Sequence, residues 1–150
     1  MNARELQDYL NARIPLSRAM GVEVRAASAG SGVELTAPLA PNINHRDTVF
    51  GGSASAVAIL AAWSALFLRL RAEGRSGRIV IRRNTMSYER PIGGDFTASA
   101  SPPDATAWSR AVAALDRGRP ARIHASATLR CAGETVGVLE GEFVILPVPQ

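Results

Sequence analysis

The feature that most constrains this chain is a long uncharged stretch in its middle. No charged side chain occurs from Thr48 to Leu68, and the segment from Gly51 to Ala72 is predicted to form one long helix. A helix that is apolar on nearly every side must be buried, so the rest of the chain has to wrap around it. The N–H groups of its first turn have no partner within the helix, and they lie at the positive end of the helix dipole.

A polar loop over residues 41–50 leads into this helix. It carries two side-chain amides, a histidine and a carboxylate, at Asn42, Asn44, His45 and Asp47. A polar loop that delivers the start of a buried helix brings free backbone N–H groups to a position that a ligand can reach. The sequence therefore predicts a ligand site at the junction of loop and helix.

Other segments alternate apolar and polar side chains in the manner of half-buried strands. Strands are predicted over residues 21–28, 32–38, 78–90, 95–101, 122–131 and 135–146, and helices over residues 3–12 and after Asp104. Because the late strands follow one another through short turns, the sheet is expected to be mostly antiparallel. We predict one α+β domain over residues 1–150, with the sheet wrapped around the long helix and an N-terminal helical segment over residues 1–20.

A single sheet around one helix leaves an outer face and two strand edges uncovered. Pairing of two copies covers them, so we expect a homo-oligomer, either a homodimer or a dimer of dimers. Because residues 48–68 are uncharged, the long helix also suggests a membrane span, which needs about 20 predominantly apolar residues. Its glycines, serines and alanines are weakly hydrophobic, however, and we expect no membrane partner.

The charged residues exclude two kinds of chemistry. All 17 basic side chains are arginines, so a lysine Schiff base and a P-loop are both excluded. The net charge is +4 and the arginines are spread along the chain, which favours a solvated surface over nucleic-acid binding.

The single cysteine, Cys131, favours a reducing, cytoplasmic location. The first residues contain no apolar segment of the kind found in signal peptides.

Two motifs flank the polar loop, Pro41-Asn42-Ile43-Asn44 and Phe50-Gly51-Gly52-Ser53. Together they resemble the bacterial hotdog proteins of the branch named for the C-terminal domain of YiiD, which are described as thioesterases. Further positions that fit are Pro15-Leu16, Ala62-Trp63, Tyr88 with Pro91, and Arg117-Gly118-Arg119. The resemblance covers nearly the whole chain. It implies the hotdog fold, in which a single antiparallel sheet wraps around one central helix.

The resemblance also implies an active site. In the wider group of hotdog thioesterases, an asparagine and then His-Gly-Gly mark this site, and an acidic residue inside the helix activates water across the dimer interface. Asn44 falls on that asparagine, and Gly51 and Gly52 fall on the two glycines. The sequence departs from the pattern at Phe50, where the relatives have histidine, and near Ile59, where they have the acid.

Hydrolysis of a thioester requires an oxyanion site, a positioned water and an apolar slot for the acyl chain. The N–H groups at the helix start suit the oxyanion, because glycine lets a ligand approach the backbone closely. Asn44 is predicted to orient substrate or water, and Asp47 is the candidate base. Alternative bases are His45, Glu89 or a residue of a second subunit. The predicted catalytic residues are Asn44, Asp47, Gly51 and Gly52, and the predicted substrate contacts are Asn42, His45, Thr48, Phe50, Ser53, Trp63 and Tyr88.

Structural roles are the alternatives to these assignments. Gly51 and Gly52 would then permit tight packing of the helix on the sheet. Asn42, for which we favour the structural role, would cap the loop. Asp47 would only complement the helix dipole. The guanidinium group matches phosphate in geometry, so several arginines are candidates for binding the phosphates of coenzyme A. For each of them, a position on a solvated strand face is the favoured interpretation. These arginines are Arg82, Arg83, Arg90, Arg119 and Arg122.

The sequence therefore predicts a hydrolase that cleaves an acyl thioester of coenzyme A or of a carrier protein, with no metal and no cofactor. A second hypothesis is a non-catalytic protein that binds acyl thioesters and lacks the helix acid. A hotdog dehydratase or hydratase ranks below both, because it needs a histidine beside a helix acid.

Overall fold

One long helix, α3 (Gly51–Ala72), forms the centre of the molecule. In the computed structural model, which describes residues 1–149, twelve residues of α3 are buried. By length and composition α3 would suffice to cross a membrane, but 67% of its most apolar stretch is buried inside the protein. The uncharged stretch therefore leads into and forms most of the core helix, and the helix has the predicted bounds.

Six strands form one sheet around α3: β1 (Glu23–Ser28), β2 (Gly32–Ala37), β3 (Arg78–Tyr88), β4 (Phe96–Ala100), β5 (Ala121–Cys131) and β6 (Glu134–Leu146). Their order in the sheet is β1-β2-β4-β5-β6-β3, and each neighbouring pair is antiparallel. The remaining α-helices are α1 (Ala3–Arg13), α2 (Pro15–Ala19) and α4 (Ala105–Asp116). This arrangement confirms the predicted α+β architecture with an antiparallel sheet.

Alternation along the strands decides which side chains face α3. In β5 the side chains of Ile123, Ala125, Ala127 and Leu129 are buried, and those between them are exposed or half-buried. The buried side chains of the sheet and of α3 belong to one hydrophobic cluster. Full burial of a leucine or isoleucine side chain contributes about 1.5–3 kcal/mol, so sheet and helix stabilise each other.

The strand β3 ends at Tyr88, before the predicted end at residue 90. The N–H groups of Glu89 and Arg90 both donate to the Val136 carbonyl, at 3.0 and 3.2 Å. Two donors on one acceptor interrupt the regular ladder, and Pro91, which follows, has no N–H to continue it. Tyr88 is therefore the last residue of the strand, and it lies beside the start of α3.

The two edges of the sheet differ. At the β1 edge, the Gln7 side chain of α1 donates to the Val22 carbonyl at 3.0 Å and accepts from the Val24 N–H at 2.6 Å. This amide side chain takes the place of a neighbouring strand. At the other edge, no segment within residues 1–149 pairs with the outer side of β3, and Ile79 is the one buried residue of that strand. The sheet is covered at one edge and open at the other.

Ion pairs and hydrogen bonds fix the far end of α3. Glu73, which follows the helix, pairs with Arg69 at 2.9 Å and accepts a hydrogen bond from Trp108 Nε1 at 2.9 Å. Arg75 pairs with Asp116 at 2.6 Å, and this side-chain hydrogen bond raises the pKa of the Arg75 guanidinium above its ordinary value. These contacts attach α4 to the end of α3 that lies away from the polar loop.

Replacing Gln7 with Glu keeps the acceptor for the Val24 N–H and removes the donor to the Val22 carbonyl. The new carboxylate faces a carbonyl oxygen, so we expect the free energy of unfolding to fall by about 1–3 kcal/mol. Urea denaturation followed by circular dichroism measures this loss. The control is Asn11→Asp, which adds the same charge one turn later and keeps its acceptor for Gln7. An equal loss in the control would contradict the edge-covering role of Gln7.

Candidate active site

The polar loop is built around the side chain of Asn44. Its Oδ1 accepts from the N–H groups of Arg46 and Thr48 at 2.8 and 3.2 Å, and its Nδ2 donates to Thr48 Oγ1 at 3.0 Å. A backbone bond from the Asn44 N–H to the Thr48 carbonyl, at 2.8 Å, closes the loop. The amide is thus occupied within the loop, and it makes no hydrogen bond to the first turn of α3.

A second asparagine, Asn42, holds the loop against the body of the protein. The residue is 2% exposed, and its Nδ2 donates to the carbonyls of Met20 and Pro38, both at 2.8 Å. Its backbone carbonyl accepts from the Phe50 N–H at 2.7 Å. Asn42 therefore fixes the residue at which α3 begins, and its amide lies out of reach of a ligand on the surface.

The start of α3 has no side-chain cap. Phe50 is the N-cap residue, and its carbonyl accepts from the Ala54 N–H at 3.1 Å. The N–H groups of Gly51, Gly52 and Ser53 have no hydrogen-bond partner within residues 1–149. Gly52 is exposed and the two residues beside it are half-buried. Three donors at the positive end of a helix dipole are thereby open to an acceptor from outside.

The two glycines are not required for packing of the helix on the sheet backbone. A Cβ added at Gly51 would lie 3.4 Å from a ring carbon of Tyr88, close to an ordinary contact. One added at Gly52 would collide with the ring of Phe50, which is 58% exposed and free to turn. Glycine at these two positions instead adds no side chain of its own beside the N–H groups, and within residues 1–149 the only rings near them are those of the exposed Phe50 and Tyr88 side chains.

A cavity of about 330 Å³ adjoins this helix start. It lies between the first turn of α3 and the chain that leaves β3, and it is lined by Thr48, Val49, Ala54 and residues 88–92. The hydroxyl of Tyr88 donates to the Gly51 carbonyl at 3.2 Å. Cavities of about 450 and 650 Å³ lie at the outer face of β1, β2 and β4 and beside α1, and neither is lined by residues of α3.

The other predicted site residues differ in position. His45 and Asp47 are exposed, and within residues 1–149 their side chains make no hydrogen bond or ion pair. Asp47 has a left-handed backbone with φ of 59°.

Trp63 donates from Nε1 to the Ile79 carbonyl at 3.0 Å and stacks on Phe67. At the helical rise of about 1.5 Å per residue, Trp63 lies about 18 Å along α3 from Gly51. The structure therefore brings Thr48, Phe50, Ser53 and Tyr88 to the helix start, but not Trp63.

The cavity wall was only partly predicted from the sequence. Val49, Ala54, Pro91 and Ile92 had no predicted role, yet all line the cavity. The Val49 N–H donates to the Ile92 carbonyl at 2.8 Å, so the loop before α3 is bound to the chain after β3. Pro91, which cannot continue a strand ladder, and the pair Gly93-Gly94 are the sequence signals that the chain turns here.

Comparison with known proteins assigns the family. The chain matches the model of the YiiD_C family, described as "Putative thioesterase (yiiD_Cterm)", over residues 3–147. The protein belongs to this family.

Solved structures show the same fold. The chain is similar to a protein of unknown function from Chlorobaculum tepidum TLS, with 27% identity and a TM-score of 0.91 over 97% of this chain and 94% of that one. It is also similar to a "putative thioesterase" from Shewanella oneidensis, with 27% identity and a TM-score of 0.85 over 97% of each chain. A "Probable Thioesterase" from Pseudomonas aeruginosa shares the fold at 22% identity, with a TM-score of 0.75 over 95% of each chain. These findings confirm the hotdog fold and the resemblance that the two motifs indicated.

Two substitutions of Asn44 separate its acceptor from its donor. Asn44→Ala removes both, and we expect the free energy of unfolding to fall by about 1–2 kcal/mol. Asn44→Asp keeps an oxygen for the N–H groups of Arg46 and Thr48, so we expect it to lose less than half as much at pH 7. Chemical denaturation of both variants measures the difference, and equal losses would contradict a loop held by the Asn44 acceptor.

Proposed function

We propose that this protein hydrolyses acyl thioesters of coenzyme A or of an acyl carrier protein at the junction of the polar loop and α3. The observation that carries the proposal is the uncovered helix start, where the N–H groups of Gly51, Gly52 and Ser53 have no partner within residues 1–149. Backbone donors held in this way suit a developing oxyanion. Membership of a family described as putative thioesterases agrees with this assignment.

The proposed reaction begins with the thioester carbonyl oxygen at these N–H groups. Water attacks the carbonyl carbon and gives up a proton to a base, and negative charge gathers on the oxygen, where the donors stabilise it. The tetrahedral intermediate then collapses, the C–S bond breaks, and the leaving thiolate takes up a proton. The products are a carboxylic acid and a free thiol. The acyl chain occupies the cavity between α3 and residues 88–92.

The base in this proposal lies outside the central helix, because α3 contains no Asp or Glu. Asp47 in the loop is the first candidate, and Glu89, which lines the cavity, is the second. Asn44 acts by shaping the loop that carries Asp47, since its own amide is occupied there. Asn42 is not proposed as a substrate contact because its side chain is buried, and Trp63 is not because it lies far along α3 from the helix start. His45, Thr48, Phe50, Ser53 and Tyr88 remain as proposed contacts.

The proposed enzyme is a cytoplasmic homodimer. The outer side of β3 is unpaired within residues 1–149, whereas Gln7 covers the edge of β1. Exposed apolar side chains surround the helix start, with Phe50 and Tyr88 each 58% exposed and Ile43 46% exposed. Exposed apolar groups gathered beside an open strand edge are typical of an interface. A second copy at this edge would also be placed to supply the base.

The non-catalytic alternative is favoured by one observation. The position near Ile59, where the wider hotdog group carries its acid, is apolar, and both candidate bases are exposed. A protein that keeps the oxyanion donors and lacks a working base would bind acyl thioesters without cleaving them. Hydrolysis and binding therefore have to be measured separately.

Gly52→Ala tests the oxyanion assignment. We expect no loss of stability, because the Phe50 ring can turn aside and alanine favours helix over glycine by about 1 kcal/mol. The added methyl group crowds the uncovered N–H groups, and loss of one oxyanion donor typically costs about 100- to 1000-fold in rate. We therefore expect kcat/KM to fall at least about tenfold, measured as thiol release from acyl-CoA substrates of several chain lengths.

The matched control is Gly30→Ala, because no atom lies within 4 Å of a Cβ added there. Full activity in Gly52→Ala would defeat the oxyanion assignment. An absence of turnover by the wild-type protein across all chain lengths would defeat the proposed hydrolysis. Tight binding of acyl-CoA in calorimetry without thiol release would then establish the non-catalytic alternative.

Ile59→Arg tests the proposed dimer. Ile59 is half-buried on the side of α3 that also carries Gly52, Ser55 and Trp63, none of them fully buried. A guanidinium at this position would be desolvated in the interface, so we expect a folded monomer by size-exclusion chromatography with light scattering. Val148→Arg, at a residue that is 48% exposed near the C-terminus, should leave the dimer intact. A monomeric wild-type protein, or a dimeric Ile59→Arg variant, would contradict the proposal.

A further inference from the structure

Tyr88 makes a contact that binding of substrate does not explain. Its hydroxyl donates to the Gly51 carbonyl at 3.2 Å, and its ring lies along the same residue. No other side chain within residues 1–149 forms a hydrogen bond to the backbone of residues 50–54. The end of the open edge strand is thereby joined to the first turn of α3.

The bonded carbonyl and a proposed oxyanion donor belong to one peptide group. The carbonyl of Gly51 and the N–H of Gly52 share the partial double bond of that peptide. A donor on the oxygen draws electron density away from the nitrogen, which makes the N–H a stronger donor. Hydrogen bonds in series strengthen one another in this way by about 10–30% each. The Tyr88 hydroxyl therefore acts on the N–H that faces the substrate.

The bond contributes little to the fold. Tyr88 is 58% exposed, so its hydroxyl would otherwise be bonded to water. The Gly51 carbonyl also has its regular helical donor four residues later, so it would not be left unpaired. Loss of the hydroxyl should accordingly change the electronic state of the peptide and leave the folded structure in place.

We propose that Tyr88 is a positioning residue for thioester hydrolysis, whose hydroxyl orients and polarises the Gly51–Gly52 peptide so that the Gly52 N–H stabilises the oxyanion. This inference rests on the proposed function, since it assumes that the Gly52 N–H receives the thioester oxygen. It gives the Tyr88 hydroxyl a role through the backbone, in addition to the proposed contact of the Tyr88 ring in the cavity.

The test compares Tyr88→Phe with Tyr9→Phe. These are the two tyrosines of the chain, and the Tyr9 ring stacks on Trp63 and Phe67 while its hydroxyl forms no hydrogen bond within residues 1–149. Tyr88→Phe should lower kcat for acyl-CoA hydrolysis about 3- to 10-fold, the range expected for one neutral hydrogen bond, with KM unchanged. An interaction made mainly in the transition state lowers kcat in this manner, whereas a substrate contact raises KM. Tyr9→Phe should change neither constant.

The second measurement does not depend on activity. In ¹⁵N–¹H correlation spectra of the free protein, loss of a donor on the Gly51 carbonyl should move the Gly52 amide nitrogen upfield in Tyr88→Phe. The amides of Gly30 and Gly118, far from the contact, serve as internal references. An unmoved Gly52 resonance would overturn the inference whether or not the protein is an enzyme. A rise in KM without a fall in kcat would overturn it as well.

Failure of the proposed function has a different signature. If the wild-type protein releases no thiol from any acyl-CoA, the hydrolytic role of Tyr88 falls together with that function. A shifted Gly52 resonance in the same experiment would show that the contact itself exists. The combination of a shifted resonance, a lower kcat and an unchanged KM in Tyr88→Phe supports the inference.

Discussion

Burial of a 22-residue helix that carries no charged side chain before Arg69 is the constraint on which this structure depends. Such a helix is unfavourable in water, and the sheet supplies the apolar surface that removes it from water. The alternating strands do this with one face only, which leaves the other face polar. One sheet around one helix is the outcome, and the family match and the related structures identify it as a hotdog thioesterase-like fold.

The same constraint creates the candidate site. A helix that passes through the core must enter it from a loop, and the first three N–H groups then remain without partners unless a side chain caps them. Here no side chain does, because Asn44 is occupied inside the loop and Phe50 stands at the N-cap position. Asn42 anchors the entry point through two hydrogen bonds from its buried side chain. Rigid support beneath an uncovered backbone is what a preorganised oxyanion site requires.

The sequence specified the fold better than the site. The extent of α3 and the alternation in β5 follow from composition and period, and both appear in the structure as predicted. The end of β3 was placed too late, because two donors on the Val136 carbonyl depend on a pairing that no local pattern reveals. The Gln7 contact with β1 and the approach of Tyr88 to Gly51 are also tertiary events. Side chains that meet only after folding leave no periodic signal in the chain.

The central claim is that the N–H groups at the start of α3 receive the carbonyl oxygen of an acyl thioester. Titration of ¹⁵N-labelled protein with a thioether analogue of acyl-CoA, which cannot be hydrolysed, tests this most directly. The account predicts that the amide resonances of Gly51, Gly52 and Ser53 shift most, together with those of the neighbouring residues 88–92. Binding that leaves these three amides unmoved and shifts residues elsewhere, such as those beside α1, would contradict it.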